Sequence, residues 1–168
     1  MQMSDTRQIK ASPAEVYAAL LDPGMLKKCV PGAQEVTGSV ADGYVATVVQ
    51  KVGPVKATFT GEVTLSDLVE NTSLKIDGAG KGGAAGFAKG GAEVHLSEKD
   101  GGTELSYDVE AKVGGKLAQL GSRIIDGFAK KMADQFFNNL QATLEGTDEA
   151  ADDTPPEKKK GWFGRAKD

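Results

Sequence analysis

Cysteine, histidine and tryptophan each occur once in 168 residues, and each scarcity removes a class of chemistry. Cys29 has no partner for an internal disulfide, and one thiol with one imidazole, His95, falls short of a tetrahedral zinc ligand set. Metal and redox chemistry by the protein's own side chains is therefore not expected. Aromatic residues make up 6% of the chain, so the core has to be aliphatic. No stretch approaches the run of about 18 apolar residues that a spanning helix needs. The opening MQMSDTRQIK lacks the charged-then-apolar layout of a secretory signal, and a cytoplasmic chain is the expectation. Nor does either charge dominate: 20 Lys+Arg stand against 24 Asp+Glu, a net charge of −4, which argues against a polyanion binder.

What the chain does have is glycine, 22 of them, and two clear periodicities. From Gly115 to Glu145 the apolar residues Leu117, Leu120, Ile124, Phe128, Met132, Phe136 and Leu140 recur at steps of three and four, one side of a helix. Ser122, Lys130, Lys131, Asp134, Asn138 and Gln141 fall mostly on the other side. The spacing predicts an amphipathic helix of roughly 40 Å that needs a large apolar partner. Gly121 and Gly127 each cost that helix about 1 kcal/mol relative to Ala. Gly127 marks either a close approach, room for something bound, or a tolerated surface position.

Upstream, Asp5 to Ala11 alternates weakly and is expected to be a first strand. Ser12-Pro13-Ala14-Glu15 is a helix start, with Ser12 and Glu15 placed for a capping box and Pro13 at the first helical position. Asp22-Pro23-Gly24 ends that helix, and Met25 to Val30 forms a second short one before Pro31-Gly32. Cys29, at its end, fits a small core residue better than a reactive thiol. From Ala33 the period changes to two. Segments 33–40, 43–52, 55–66, 72–79, 89–98 and 103–113 are strand-like and separated by turn signals, an antiparallel meander. In 55–65, Val55, Ala57, Phe59, Gly61, Val63 and Leu65 share one dry face, and Leu105, Tyr107, Val109, Ala111 and Val113 do the same later. His95 falls on the wet face, as an ordinary surface residue does.

This order predicts an α+β helix-grip fold: a curved antiparallel sheet of about seven strands wrapped around a long C-terminal helix. The opening strand, the SPAEVYAALLDP helix, the CVPGA turn, the KVGPVKATFTG hairpin and the helix through FAKKMADQFFNNL together resemble the carbon monoxide dehydrogenase CoxG family of the SRPBCC/START-like superfamily. The resemblance spans residues 2–145. It implies a cavity between sheet and helix, binding of a hydrophobic ligand, and an accessory role beside a molybdenum-containing dehydrogenase. No catalytic motif carries over, and fold alone does not identify a ligand.

Residues 78–91 contain a formal G-x-G-x-x-G match at Gly78, Gly80 and Gly83, but a strand rather than a helix follows, so no dinucleotide site is expected. The segment is expected to be a flexible hairpin whose Phe87 closes a cavity mouth, or simply a loose turn. The expected pocket lies between Phe59, Val63, Tyr107 and Val109 of the sheet and Leu120, Ile124, Phe128 and Met132 of the helix, with its mouth near Leu26 and Phe87. Only Tyr107 on the inward faces has titratable character, so no enzyme activity is expected.

After the domain at 1–145, residues 146–157 are acidic, small and Pro-containing, the composition of a disordered linker. At 158–168, Lys158, Lys159, Lys160, Arg165 and Lys167 surround Trp162 and Phe163. Basic and interfacial aromatic residues in this arrangement fit reversible attachment to an anionic membrane; a docking peptide for a protein partner and a solubilising tail stay open. The functional expectation is a non-enzymatic accessory of a molybdenum-containing CO dehydrogenase or a related dehydrogenase. It would hold an apolar ligand such as a quinone without covalent attachment, be peripheral on the inner face of the cytoplasmic membrane, and have no nucleic-acid partner. The alternatives are an adaptor or maturation factor with a filled core and, third, a small START-like enzyme.

Overall fold

The computed structural model describes residues 1–146. The chain runs β1 (Gln2–Ile9), α1 (Pro13–Leu21), α2 (Pro23–Cys29), β2 (Ala33–Ser39), β3 (Gly43–Val52), β4 (Val55–Val69), β5 (Ser73–Lys81), β6 (Phe87–Lys99), β7 (Gly102–Gly114), α3 (Lys116–Gln119) and α4 (Ser122–Glu145). The helix starts follow their local chemistry. Ser12 and Glu15 form the reciprocal capping box, with Pro13 in the first turn of α1. Asp22 closes α1 and caps α2, its carboxylate accepting from the Gly24 N–H at 3.0 Å.

The seven strands form one antiparallel sheet in the order β1-β7-β6-β5-β4-β3-β2. Strands β2 to β7 are the meander. The N-terminal strand returns to β7, with Gln2 opposite Glu110 and Ile9 opposite Thr103, so it starts three residues before the expected Asp5. Strand β4 alternates half-buried and exposed residues from Val55 to Ser66, as the period-two pattern requires.

Two expectations are corrected. The single helix over 115–145 is broken at Gly121, whose φ of +90° lies outside the helical region; α3 ends before it and α4 begins after it. Glycine takes that conformation without a side-chain clash, so the chain turns where the apolar spacing alone would run on. The Gly-rich segment, in turn, is ladder rather than flexible hairpin. Asp77 pairs with Gly91, Gly78 with Gly90, Ala79 with Lys89, Gly80 with Ala88 and Lys81 with Phe87. Only residues 82–86 turn, through a single 3-10 turn at Gly83–Ala85. Here glycine serves close approach: a Cβ on Gly90 would collide with the Glu110 carbonyl of β7.

The densest packing sits at one end of the molecule. Ile9, Val16, Leu20, Cys29, Leu74, Val94, Leu96, Leu105, Phe137 and Leu140 form one cluster joining α1, α2, the sheet and the C-terminal half of α4. Polar ties hold that half in place. Arg7 reaches Asn138 at 2.8 Å and Asp134 at 3.2 Å, the Asn139 amide donates to the Cys29 carbonyl at 3.0 Å, and Gln141 donates to the Gln8 carbonyl at 3.1 Å. The N-terminal half of α4 is packed far less. Phe128 and Met132 are half-buried and Ile124 is 41% exposed.

Candidate functional site

Inward positions of the central strands carry small residues. Register places Gly61 opposite Gly80, Gly78 opposite Gly90, and Gly90 opposite Ala111. With Ala88 and Ala92 these make a floor without side-chain bulk. A hollow of about 290 Å³ lies on it, lined by Ile76, Gly78, Gly80, Ala88, Gly90, Ala92, Val109 and Ala111 among others. Apolar concavities of this kind suit small-molecule sites, whose volumes start near 300 Å³. Elsewhere in the domain, Gly53 of the β3–β4 turn sits under Leu120 and Ile124, and the Phe59 ring lies against Gly82.

A second hollow, of about 220 Å³, lies between the start of β1 and the middle of α4. Asp5, Tyr107, Asp126 and Lys130 line it together with residues 1–4. The Tyr107 ring stacks on Phe137 with centroids 4.8 Å apart, and Arg7 sits over the same Phe137 ring at 5.7 Å. Burial, and after it the Asp5 carboxylate, holds the Tyr107 phenol above its ordinary pKa, so it is a neutral donor at physiological pH. A third and larger hollow, about 630 Å³, opens on the outward face of the sheet, between Glu62, Asp77 and Glu110 on one hand and Lys89 and Lys112 on the other. It is charged, shallow and remote from the helices.

The pocket residues expected from the sequence distribute as follows. Phe59, Val63 and Val109 face inward, and Val109 lines the apolar hollow. Leu120 and Ile124 sit near Gly53 of the β3–β4 turn and do not line the hollow, with Phe128 and Met132 next along α4. Tyr107 belongs to the packed core and to the polar hollow. Leu26 is half-buried in α2, where its carbonyl accepts from the Val30 N–H at 2.9 Å. Phe87 does not plug the mouth. Inward residues of β6 are the even-numbered ones, including buried Val94 and Leu96; Phe87 has the opposite parity, is 45% exposed and lies on Gly114. The floor residues Gly78, Gly80, Ala88, Gly90 and Ala92 were missed, as were Asp126 and Lys130. The even-numbered run of Gly and Ala through that segment is a strand face and would have revealed the floor.

Cys29 is fully buried and its thiol is pushed up to about 11 by desolvation, slightly offset by Lys28. That makes it a poor nucleophile. His95 is exposed on the outward face beside Glu93. Among the described residues no group of three or more His, Cys, Asp or Glu is arranged to hold a metal, and no helix is long and apolar enough to cross a membrane. Lys158, Lys159, Lys160, Trp162, Phe163, Arg165 and Lys167 lie outside the described residues, as does the linker beyond Gly146.

A seven-stranded antiparallel sheet closed by a long C-terminal helix defines a helix-grip fold. The family model of the carbon monoxide dehydrogenase CoxG subunit matches residues 6–145, and the chain belongs to that family. A conserved protein from Geobacillus kaustophilus is similar over 88% of this chain and 97% of its own, at 28% identity and a TM-score of 0.81. A protein from Chromobacterium violaceum covers 86% of this chain and 98% of its own, at 21% identity and a TM-score of 0.63. The fold extends to Ara h 8.0201, at 14% identity, 87% and 98% coverage and a TM-score of 0.59. No curated protein matches the chain. The family match supports an accessory role, and the distant structures share the fold.

Proposed function

We propose that this protein is a non-enzymatic accessory of a molybdenum-containing CO dehydrogenase, or a related dehydrogenase, and that it binds an apolar small molecule between its sheet and α4. The observation that supports the reading is the small-residue floor of Gly78, Gly80, Ala88, Gly90 and Ala92, on which the hollow of about 290 Å³ lies. Burying an apolar molecule there gains roughly 25 cal/mol for each Å² removed from water, a driving force that a filled core would already have spent.

Electrons from a soluble dehydrogenase have to reach an acceptor, and a lipid-soluble quinone is the natural apolar candidate for this hollow. In this reading the basic-aromatic tail, Lys158 to Lys167 around Trp162 and Phe163, brings the protein and its dehydrogenase to the inner face of the cytoplasmic membrane. The test is mass spectrometry of protein purified from its native host, under native conditions and again after denaturation. An apolar molecule released in stoichiometric amount supports the reading. A chain that carries no such molecule and binds none when titrated with quinones or lipids would instead be an adaptor.

A further inference from the structure

The turns of the meander gather at two ends, and the charges separate between them. At one end stand the β3–β4 turn, the β5–β6 turn and the passage from β7 through α3 into α4. Contacts join these segments: a Cβ on Gly53 would meet Leu120 and Ile124, and Gly115 lies against Gly86. Residues 51–56, 81–89 and 112–123 form this end and hold seven cations with no Asp or Glu. Lys51 and Lys56 are cross-strand partners, as are Lys89 and Lys112. Like charges so placed weaken a sheet, and an anion from outside relieves them. Lys81, Lys116 and Arg123 complete the set. All seven are exposed, and among the described residues none is in an ion pair, although Glu62, Asp77 and Glu110 share the outward hollow with Lys89 and Lys112. At the other end, the β2–β3, β4–β5 and β6–β7 turns carry Asp42, Asp67, Glu70, Glu98 and Asp100 against the single cation Lys99.

Apolar side chains accompany the cations. Phe87 is 45% exposed between its cross-strand partner Lys81 and Lys89, two residues further along the same face, and Ile124, next to Arg123, is 41% exposed. Leu68 and Val69 are exposed too, but at the acidic end, which an anionic surface repels. We propose that the end formed by the β3–β4 turn, the β5–β6 turn and α3 is a docking surface for an anionic lipid bilayer, with Phe87 entering the headgroup layer and the lysines above its phosphates. Residue type favours lipid over an acidic protein. Six of the seven cations are Lys, which protein interfaces tend to exclude in favour of Arg. A fluid headgroup layer asks for point charges rather than a fixed guanidinium fork. The proposal goes beyond the attachment by the tail and adds to it: the tail tethers the protein, and this weaker second contact orients the domain. Docked by this end, the domain turns the Gly80 and Ala88 side of the apolar hollow towards the lipid.

The test uses the full chain and vesicles of equimolar phosphatidylcholine and phosphatidylglycerol, with pure phosphatidylcholine vesicles as the reference. Lys81→Gln combined with Lys89→Gln should weaken sedimentation with the anionic vesicles about five- to twenty-fivefold, the range that two lysines near a charged leaflet supply. Lys10→Gln combined with Lys99→Gln changes the net charge equally at the far end of the strands, beyond the screening length of about 10 Å at 0.1 M salt, and should alter binding by less than about twofold. An NBD fluorophore on Ala84→Cys, at the tip of the β5–β6 turn, should brighten and shift to the blue on the anionic vesicles. The same label on Ser97→Cys, beside the β6–β7 turn, should not respond. All the substituted positions are exposed, so melting temperatures should match the wild type, and buried Cys29 takes no label in the folded protein. Equal effects of the two lysine pairs, or a silent label at residue 84 on protein that sediments, would overturn the docking end and leave the tail's attachment standing. A full chain that does not sediment with the anionic vesicles would overturn the docking end together with the membrane part of the proposed function.

Discussion

At the scale of single residues, burial decides what the polar groups do. Cys29 is enclosed by the core, and its pKa of about 11 against an ordinary 9.0 means that the folded state holds the thiol proton more tightly than the unfolded state. The stability linked to it is complete below pH 9 and is lost as pH rises from about 9 to about 11. At about 1.4 kcal/mol per pKa unit the loss approaches 3 kcal/mol. Chemical denaturation at a series of pH values should show this fall, and Cys29→Ala should show less of it. A disulfide reagent at pH 8 should label the thiol only after unfolding.

At the scale of elements, α4 is two half-helices with different tasks. Its C-terminal half is fixed by Phe137, Leu140 and the polar ties from Arg7, Asn139 and Gln141. The N-terminal half is less buried, with Ile124 41% exposed and Phe128 half-buried. Two truncations should separate the roles. Leu140→Ala should cost about 2–5 kcal/mol, the usual range for emptying a core site. Phe128→Ala should cost well under the ~3–5 kcal/mol of a core phenylalanine, and should alter the uptake of apolar ligands. Urea denaturation and ligand titration of both variants check this; equal stability losses would mean that the helix packs evenly along its length. Gly127 completes the picture. A Cβ there would meet nothing within 4 Å, so Gly127→Ala should stabilise the domain by up to about 1 kcal/mol through helix propensity, read as a raised melting temperature.

At the scale of the whole molecule, every residue of the core cluster lies between Ile9 and Leu140, and α4 ends on Gly146 in a left-handed cap. A chain truncated after Gly146 should therefore melt cooperatively at nearly the full-length temperature. In the proposed function it should also lose sedimentation with anionic vesicles, and the full chain should lose the same binding in high salt, where screening shortens to about 3 Å at 1 M. Trp162→Ala combined with Lys158, Lys159 and Lys160→Glu should behave as the truncation does. Vesicle binding unchanged in those variants would eliminate the tail as the membrane element and move the weight to protein docking.

The order of elements, the capping box at Ser12 and Glu15, the meander and the dry face of β4 were all legible in the amino-acid sequence. Each depends on residues within a few positions of one another, where period and propensity act directly. Of the positions named for a pocket, Phe59, Val63 and Val109 were readable as one face of their strands. Other features required the fold. Whether Gly121 continues a helix or turns with φ of +90° depends on where α3 and α4 must pack. The side that Phe87 faces follows from its pairing with Lys81 and Gly114, because shifting a strand's pairing by one residue moves every side chain to the other face. Tyr107 reads as one more core aromatic until β1 and α4, far apart in the chain, are brought together beside it. Short-range patterns thus determined the elements of this protein, while the packing between distant elements decided which part of α4 is buried in the core and which is left half-exposed.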